Sequence, residues 1–272
     1  MPSSQTSNIR SISRIARASL IAGSASALTL GLAGSASAAS PAPLPEKATS
    51  FQKAFQPYFD YDSDSCFPAA AIGRDGTLNG GLRPSGSMTG GCRHPHQGNT
   101  YARAKCNHGW CGIVYALYFE KDQGDPTGIS HIVSHRHDWE GAVVWVKQGA
   151  SKPSYVSASR HGGYSTHAVN EVPMNGAHVE IVYHKDGALT HAMRFAKWGE
   201  KPEAGSSWDT PALLTWDLMD KGLRDKLSSA HWYDENTDKD HANFTIKDGA
   251  FESNLANAKP SGIPFDPKGA WQ

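Results

Sequence analysis

Five runs of β-branched and aromatic residues occupy the middle of the chain, and they restrict its fold more than any other feature. Such residues favour strands because their side chains pack well on a pleated surface. The runs are IVYALYF (113–119), GAVVWVKQ (141–148), SYVSASR (154–160), HVEIVYHKDG (178–187) and THAMRFAKW (190–198). HKDG between the last two predicts a hairpin turn, and NFTIKDG near residue 245 predicts an additional edge strand.

Helical patterns are fewer and lie toward the C-terminus. TPALLTWDLMDKGLRDKLSSA predicts a helix that begins at Pro211, and Gly222 leaves open whether it forms one helix or two. GAFESNLANA predicts a short helix, because Phe251 and Leu255 lie four residues apart. The sequence therefore predicts a mainly β fold, a central β-sandwich flanked by short helices.

The N-terminal segment has the composition of a secretory signal. Arg10, Arg14 and Arg17 precede the weakly apolar run LIAGSASALTLGLAG, and the small residues of residues 36–38 (ASA) suit a cleavage site. We expect residues 1–38 to be a signal peptide, residues 39–50 a flexible Pro/Ala linker, and residues 51–272 a single domain.

The charge balance argues against non-specific nucleic-acid binding. The leader holds three of the 26 basic residues and no acidic one, so 23 basic side chains remain against 26 acidic ones. A nucleic-acid-binding surface is expected to be basic. We expect a secreted monomer whose contact with membranes is peripheral, because no second long apolar run follows the leader.

Four cysteines follow the leader, Cys66, Cys92, Cys106 and Cys111. An even number in an exported chain predicts two disulfides, and the spacing favours Cys66–Cys92 and Cys106–Cys111, although three pairings are open to four cysteines. A zinc site is the competing interpretation, but the short CxxC-like spacings that it needs are missing from the sequence.

The heptapeptide SHRHDWE (134–140) places five polar or charged groups directly before the strand GAVVWV. If a strand begins at Trp139, alternation directs Asp138 and Glu140 to the same face. Two carboxylates so close repel each other unless a cation lies between them. Asp122 stands upstream, and His135 is expected to enter from the preceding loop.

Three carboxylates and one histidine form a ligand set that suits Mg²⁺ or Ca²⁺, with Mn²⁺ also allowed. The alternative is a charged turn in which Arg136 pairs with the carboxylates at the surface.

RHGGY (160–164) is either a strand-end turn or a loop that contacts sugar through Tyr164. Trp198, Trp208 and Trp232 lie in polar stretches and are expected at the surface.

SHRHDWE resembles the heptapeptide GHRHDWE of the necrosis- and ethylene-inducing-like proteins, which are secreted microbial cytolysins. VYALYFEKD resembles the family's MYxWYFPKD, and RHGGY, NGAHVEIVYHKDG, THAMRFA, RDKL and ANFTIKDGAFESNLANA follow in the expected order. The resemblance extends from about Phe51 to the C-terminus, and the second cysteine pair is like that of the four-cysteine members.

The resemblance implies an actinoporin- and lectin-like β-sandwich that is not an enzyme. It implies a divalent cation in an acidic cavity, and sugar head groups of plant glycosylinositol phosphorylceramides as the partner. The residues that match the family's cation site are Asp122, His135, Asp138 and Glu140. His191, His137, Arg136 and Tyr164 are the expected cavity-lining or ligand-binding residues.

The chain departs from the family pattern at several places, and two of them bear on toxicity. Ser134 replaces the glycine of the heptapeptide, and the segment KDGALT before His191 has no tryptophan, which some cytolytic members use near the membrane. A non-toxic secreted sugar-binding protein of the same fold is therefore an alternative. A metal-dependent hydrolase is another, because a carboxylate-rich site with a histidine can polarise a water.

Overall fold

The computed structural model of the protein describes residues 40–125, 134–234, 239–240 and 244–271. The predicted signal peptide, residues 1–38, lies outside these residues. Within them, no helix has the length and apolar character needed to cross a membrane.

Strands form most of the regular structure in the described residues. They are β1 (Tyr58–Tyr61), β2 (Asn99–Asn107), β3 (Trp110–Gln123), β4 (Ser134–Lys147), β5 (Tyr155–Arg160), β6 (Gly163–Ala168), β7 (Met174–Asn175), β8 (His178–Lys185), β9 (His191–Phe195), β10 (Ala212–Thr215), β11 (Tyr233–Asp234) and β12 (Lys239–Asp240). The α-helices are α1 (Ser50–Ala54), α2 (Lys221–Ser229) and α3 (Ala250–Ala258), with 3-10 turns at Val169–Glu171 and Trp216–Leu218.

Two sheets pack face to face. The larger has six strands in the order β10-β2-β3-β4-β5-β6, and the smaller contains β1, β7, β8 and β9. Tyr115 and Val144 of the larger sheet share one buried cluster with Ile181 and Met193 of the smaller. This cluster fills the interior of the sandwich, because alternate side chains of each strand point inward.

Helices α2 and α3 cover the outer face of the larger sheet. Leu227 of α2 and Leu255 of α3 are fully buried, in a second cluster with Val143 and Trp145 of β4. The predicted sandwich with flanking helices is confirmed, and α3 coincides with the helix predicted from GAFESNLANA.

Both predicted disulfides are present. Cys66 and Cys92 are bonded, as are Cys106 and Cys111, and the described residues contain no free cysteine. The first closes the loop-rich segment between β1 and β2. The second joins directly paired residues of the β2–β3 hairpin.

The N-terminal segment differs from its prediction as a flexible linker. In residues 40–50, the amide of Leu44 donates to Asn99 Oδ1 at 2.8 Å, and the amide of Lys47 donates to the carbonyl of Leu213 at 2.9 Å. Leu44 itself is buried. Burial and backbone pairing outweigh the disorder that the Pro/Ala composition indicates.

Three further predictions were wrong. Pro211 precedes strand β10, which pairs in parallel with β2, so the only α-helix of that stretch begins at Lys221. NFTIKDG forms turns where it is described, over residues 244–249, because α3 begins directly after it. Trp232 is only 2 % exposed, since the ring packs against Trp139.

Candidate functional site

The heptapeptide lies within a strand rather than before one. Strand β4 begins at Ser134, and His135 is paired directly opposite Asp122 of β3. His135 therefore does not enter from a preceding loop, as the sequence predicted. The antiparallel pairing of β3 and β4 positions these two side chains as neighbours, because opposite residues of adjacent strands project to the same face.

The backbone of His137 changes the alternation of this strand. In a regular strand, residues 135 and 138 face opposite ways. His137 has a φ of 59°, a left-handed conformation that is uncommon for residues other than glycine. His135 and Asp138 consequently face the same cavity, while the His137 ring contacts Tyr118 on the other side, with Nδ1 at 2.6 Å from the Tyr118 hydroxyl.

Asp122, His135 and Asp138 form a group that can hold a metal ion. Each offers one ligand atom, and these atoms all lie within 4.8 Å of one another. The donor set is two carboxylates and one imidazole, which fits a hard or borderline divalent cation. These are three of the four residues that the sequence predicted for a cation site, and their donor atoms lie close enough together to hold one ion.

Neighbouring side chains hold both carboxylates in position. The Tyr183 hydroxyl donates to Asp138 Oδ2 at 2.9 Å. Asp122 accepts the amide of His191 at 2.8 and 3.0 Å and its Nδ1 at 2.6 Å. Such hydrogen bonds orient the ligands of a metal.

His191 acts as a cation toward Asp122 rather than as a ligand. Its Nδ1 faces that carboxylate, and its Nε2 lies 3.2 Å from the carbonyl oxygen of Asp64. Both partners are acceptors, so both ring nitrogens carry protons. Burial lowers the pKa of His191, but the hydrogen bond and charge of Asp122 outweigh burial, and the pKa is raised.

Glu140 lies in the same cavity but outside the group of three. Its Oε2 accepts a hydrogen bond from the Ser159 hydroxyl, which also accepts the backbone amide of Gly141. Burial, and then repulsion from Asp138, raise the pKa of Glu140 well above its usual range. Burial and the charge of Asp138 therefore both oppose ionisation of Glu140.

The electrostatics of the two carboxylate ligands differ. Burial, and then the charge of Asp122, raise the pKa of Asp138 to about 6. Burial also opposes ionisation of Asp122, but the hydrogen bonds and charge of His191 exceed that effect and lower the pKa of Asp122. A bound cation would stabilise the ionised form of Asp138.

An open cavity of ≈560 Å³ contains the group. Tyr164 and His191 line it, together with Glu140, Ser159, His161, Thr190, Ser253 and Asn254. Arg136 and His137 were also expected to line this cavity, but neither does. The Arg136 guanidinium donates to the carbonyl of Gly80 at 3.0 Å, and the His137 ring faces Tyr118.

Tyr183 and Ser159, which hold Asp138 and Glu140, could not be predicted as site residues from the sequence. Tyr183 belongs to a hydrophobic strand run and Ser159 to an ordinary one, so neither carries a local signal of a site. Only the packing of β8 against the larger sheet brings Tyr183 to Asp138, 45 residues away in the sequence.

Comparison with known proteins identifies the family. The family model "Necrosis inducing protein (NPP1)" matches residues 49–258. "NLP effector protein 10" of Phytophthora capsici is 36% identical over 201 residues, which are 72% of this chain and 77% of the relative. "Necrosis-inducing protein NPP1" of Phytophthora nicotianae is 34% identical over 223 residues, 79% of this chain and 85% of the relative.

Solved structures have the same fold. One described as "Toxin fold as basis for microbial attack and plant defense" has a TM-score of 0.68 at 28% identity, over 82% of this chain and 97% of the other. "NLPPya in complex with glucosamine" has a TM-score of 0.65 at 26% identity, over 81% of this chain and 96% of the other. The "non-toxic HaNLP3 protein" has a TM-score of 0.66 at 30% identity, over 81% of this chain and 97% of the other. This chain belongs to the necrosis-inducing protein (NPP1) family.

Proposed function

We propose that this protein is a secreted, cation-dependent cytolysin that binds glycosylated sphingolipid head groups of plant plasma membranes and permeabilises those membranes. The observation that carries the proposal is the Asp122, His135 and Asp138 group, which opens into a cavity in a chain whose relatives are necrosis-inducing proteins. The role is binding rather than catalysis, so the protein is not an enzyme.

Asp122, His135 and Asp138 would hold a Mg²⁺ or Ca²⁺ ion, or Mn²⁺. A bound ion supplies positive charge and coordination positions that sugar hydroxyls can fill. The chain's own residues prepare the site in advance. Tyr183 and His191 orient the carboxylates, and the His137 carbonyl fixes the imidazole of His135. Glu140 would contact the ligand or a coordinated water from the same wall.

The partner would be the sugar portion of glycosylinositol phosphorylceramides. The ≈560 Å³ cavity is within the range of about 300–1,000 Å³ that is usual for small-ligand sites. Related proteins have been crystallised in complex with glucosamine and mannosamine, which supports sugar binding by this chain. Tyr164 and His191 would line the bound sugar.

The protein would reach its target as a monomer after cleavage of residues 1–38, and would contact the membrane only peripherally. A surface with slightly more acidic than basic residues is not suited to nucleic acid. Head-group binding would concentrate the protein at the bilayer, and loops at the cavity would then disturb the lipid.

A non-toxic sugar-binding role is the second candidate, and a specific observation favours it. The structure of a non-toxic relative matches this fold at 30% identity. In the β8–β9 loop, the exposed large apolar side chain is Leu189, which is 50% exposed. A leucine buries less area in the membrane interface than a tryptophan and lacks its polar edge.

Titration calorimetry of the purified protein with Mg²⁺ and Ca²⁺ tests the cation site. We expect Asp138→Asn to weaken binding at least ~100-fold, because it removes a charged ligand. Asp248→Asn is the matched control, since its carboxylate is exposed and pairs with Arg103. If the wild type binds neither ion, the group is a structural cluster and the proposal fails.

Dye leakage from vesicles with and without plant glycosylinositol phosphorylceramides separates the two candidates. A cytolysin releases dye only from vesicles that contain these lipids, and the Asp138→Asn variant does not. Cation and head-group binding without leakage would establish the non-toxic alternative.

A further inference from the structure

A second cavity, of ≈250 Å³, lies between β1 and the chain segment that leads into β10. It shares no lining residue with the cation cavity. Its wall combines aromatic rings, small residues and one carboxylate, from Phe59, Tyr61, Phe67, Trp208, Asp209 and Gly205 among others. The composition is that of a ligand site, in which an apolar wall carries a few fixed polar groups.

The cavity is preformed, because the segment 203–209 is fixed at both ends. Asp60, which is 1% exposed, accepts the amides of Glu203 and Ala204, each at 2.9 Å. At the other end, Phe59 and Asp209 exchange backbone hydrogen bonds of 2.9 and 2.8 Å. Trp208, between these anchors, is half-buried, so a ligand would find its ring already in place.

Asp209 provides a carboxylate that one hydroxyl holds in place. Its Oδ2 accepts the Tyr61 hydroxyl at 3.1 Å, and within the described residues no lysine or arginine pairs with it. Burial raises the pKa of Asp209, and the hydrogen bond from Tyr61 and the charge of His96 lower it by less. His96 stands on the exposed rim in a left-handed conformation, with φ 58°.

An aromatic wall beside a carboxylate that pairs with no lysine or arginine of the described residues suits a protonated amine. The carboxylate would pair with the ammonium, and the ring faces would attract the same charge through cation–π interaction. The small volume limits the ligand to about one ring. An amine on a ring whose face can stack against tryptophan meets both requirements.

We propose that this second cavity binds an amino sugar, whose ring stacks on Trp208 and whose ammonium pairs with Asp209. This site is additional to the cation cavity of the proposed function. Two sugar-binding sites on one body would strengthen attachment to a glycan-covered surface, because the second contact is intramolecular once the first has formed.

Indole N–H signals of ¹⁵N-tryptophan-labelled full chain test the proposal. The Trp208 signal is assigned by its loss in Trp208→Phe, and glucosamine is then titrated against glucose, which replaces the amine by a hydroxyl. We expect a saturable shift of the Trp208 signal with glucosamine and at least tenfold weaker binding of glucose. Asp209→Asn, which keeps the acceptor for Tyr61, should weaken glucosamine binding by a similar factor.

The Asp138→Asn variant separates this site from the cation cavity, and the Trp208 shift should persist in it. A Trp208 signal that does not move with glucosamine in the wild type, or that moves equally with glucose, would overturn the proposal. The glucose comparison decides the matter even if Asp209→Asn does not fold. If the proposed function is wrong, calorimetry shows no binding of Mg²⁺ or Ca²⁺, and that result is independent of the Trp208 signal.

Discussion

The Nδ1 atom of His135 lies 2.7 Å from the carbonyl oxygen of His137, two residues further along the same strand. A carbonyl only accepts hydrogen bonds, so Nδ1 carries the proton and the neutral ring has its lone pair on Nε2. Nε2 faces Asp122, with Oδ2 at 3.8 Å. The left-handed residue His137 therefore turns His135 into the cavity and also selects the ring nitrogen that can bind a cation.

Substitution of His137 tests the importance of this backbone conformation. Both His137→Gly and His137→Val lose the contact with Tyr118, but only glycine adopts a positive φ without strain. We expect His137→Val to be less stable than His137→Gly by about 1–3 kcal/mol and to bind Mg²⁺ at least tenfold more weakly. Chemical denaturation and calorimetry measure both. Equal Mg²⁺ affinities would show that the φ of His137 does not position His135.

Glu140→Gln distinguishes a ligand from a wall residue. Burial and the charge of Asp138 raise the pKa of Glu140, and glutamine keeps the shape of this side chain and an acceptor for the Ser159 hydroxyl without a charge. We expect Mg²⁺ affinity to fall less than about threefold, compared with at least ~100-fold for Asp138→Asn. Calorimetry measures the Mg²⁺ affinity of both variants. Similar losses of affinity in the two would show that Glu140 is a fourth ligand.

Cation binding should depend on pH through Asp138. Its pKa of about 6 exceeds the usual 3.8, so the folded, cation-free protein holds this proton more tightly than the unfolded chain does. The stability of the cation-free protein should therefore fall as pH rises from about 4 to about 6.

Protons and cations compete for the same carboxylate. The Mg²⁺ association constant should accordingly decrease about tenfold for each pH unit below about 6. Thermal denaturation with and without Mg²⁺, together with calorimetry across this range, tests both expectations. An affinity that is constant from pH 5 to pH 7 would contradict the assignment of Asp138 as a ligand with this raised pKa.

Gly141 is the residue at which the β3–β4 pairing tolerates no side chain. A Cβ there would lie 1.9 Å from the carbonyl oxygen of Tyr115. We expect Gly141→Ala to lower the free energy of unfolding by at least about 3 kcal/mol, because the overlap is with the backbone of a buried strand. Gly80→Ala is the matched control, since a Cβ there has no atom within 4 Å. Similar melting temperatures for the two variants would show that β3 and β4 can accommodate the extra Cβ without loss of stability.

Much of the fold could be predicted because its signals are local. The runs that became β3, β4, β5, β8 and β9 have side chains that favour strands whatever their partners are. The cysteine spacing favoured the observed disulfide pairing among three that were open, and Asp138 and Glu140 were placed together by strand alternation alone. Strand β10 could not be predicted, because its pairing partner in β2 lies 113 residues away at Asn99–Ala212.

The sequence by itself determined which chemistry is present: a carboxylate- and histidine-rich heptapeptide next to a core strand, Asp122 upstream and two cysteine pairs. Only the tertiary structure decided how these groups are used. The left-handed backbone of His137 directs His135 to the cavity. Tyr183 and His191 orient the carboxylates of Asp138 and Asp122, and the Ser159 hydroxyl donates a hydrogen bond to Glu140. These arrangements depend on contacts between distant strands and on burial, which shift pKa values and orient side chains in ways that no local pattern encodes.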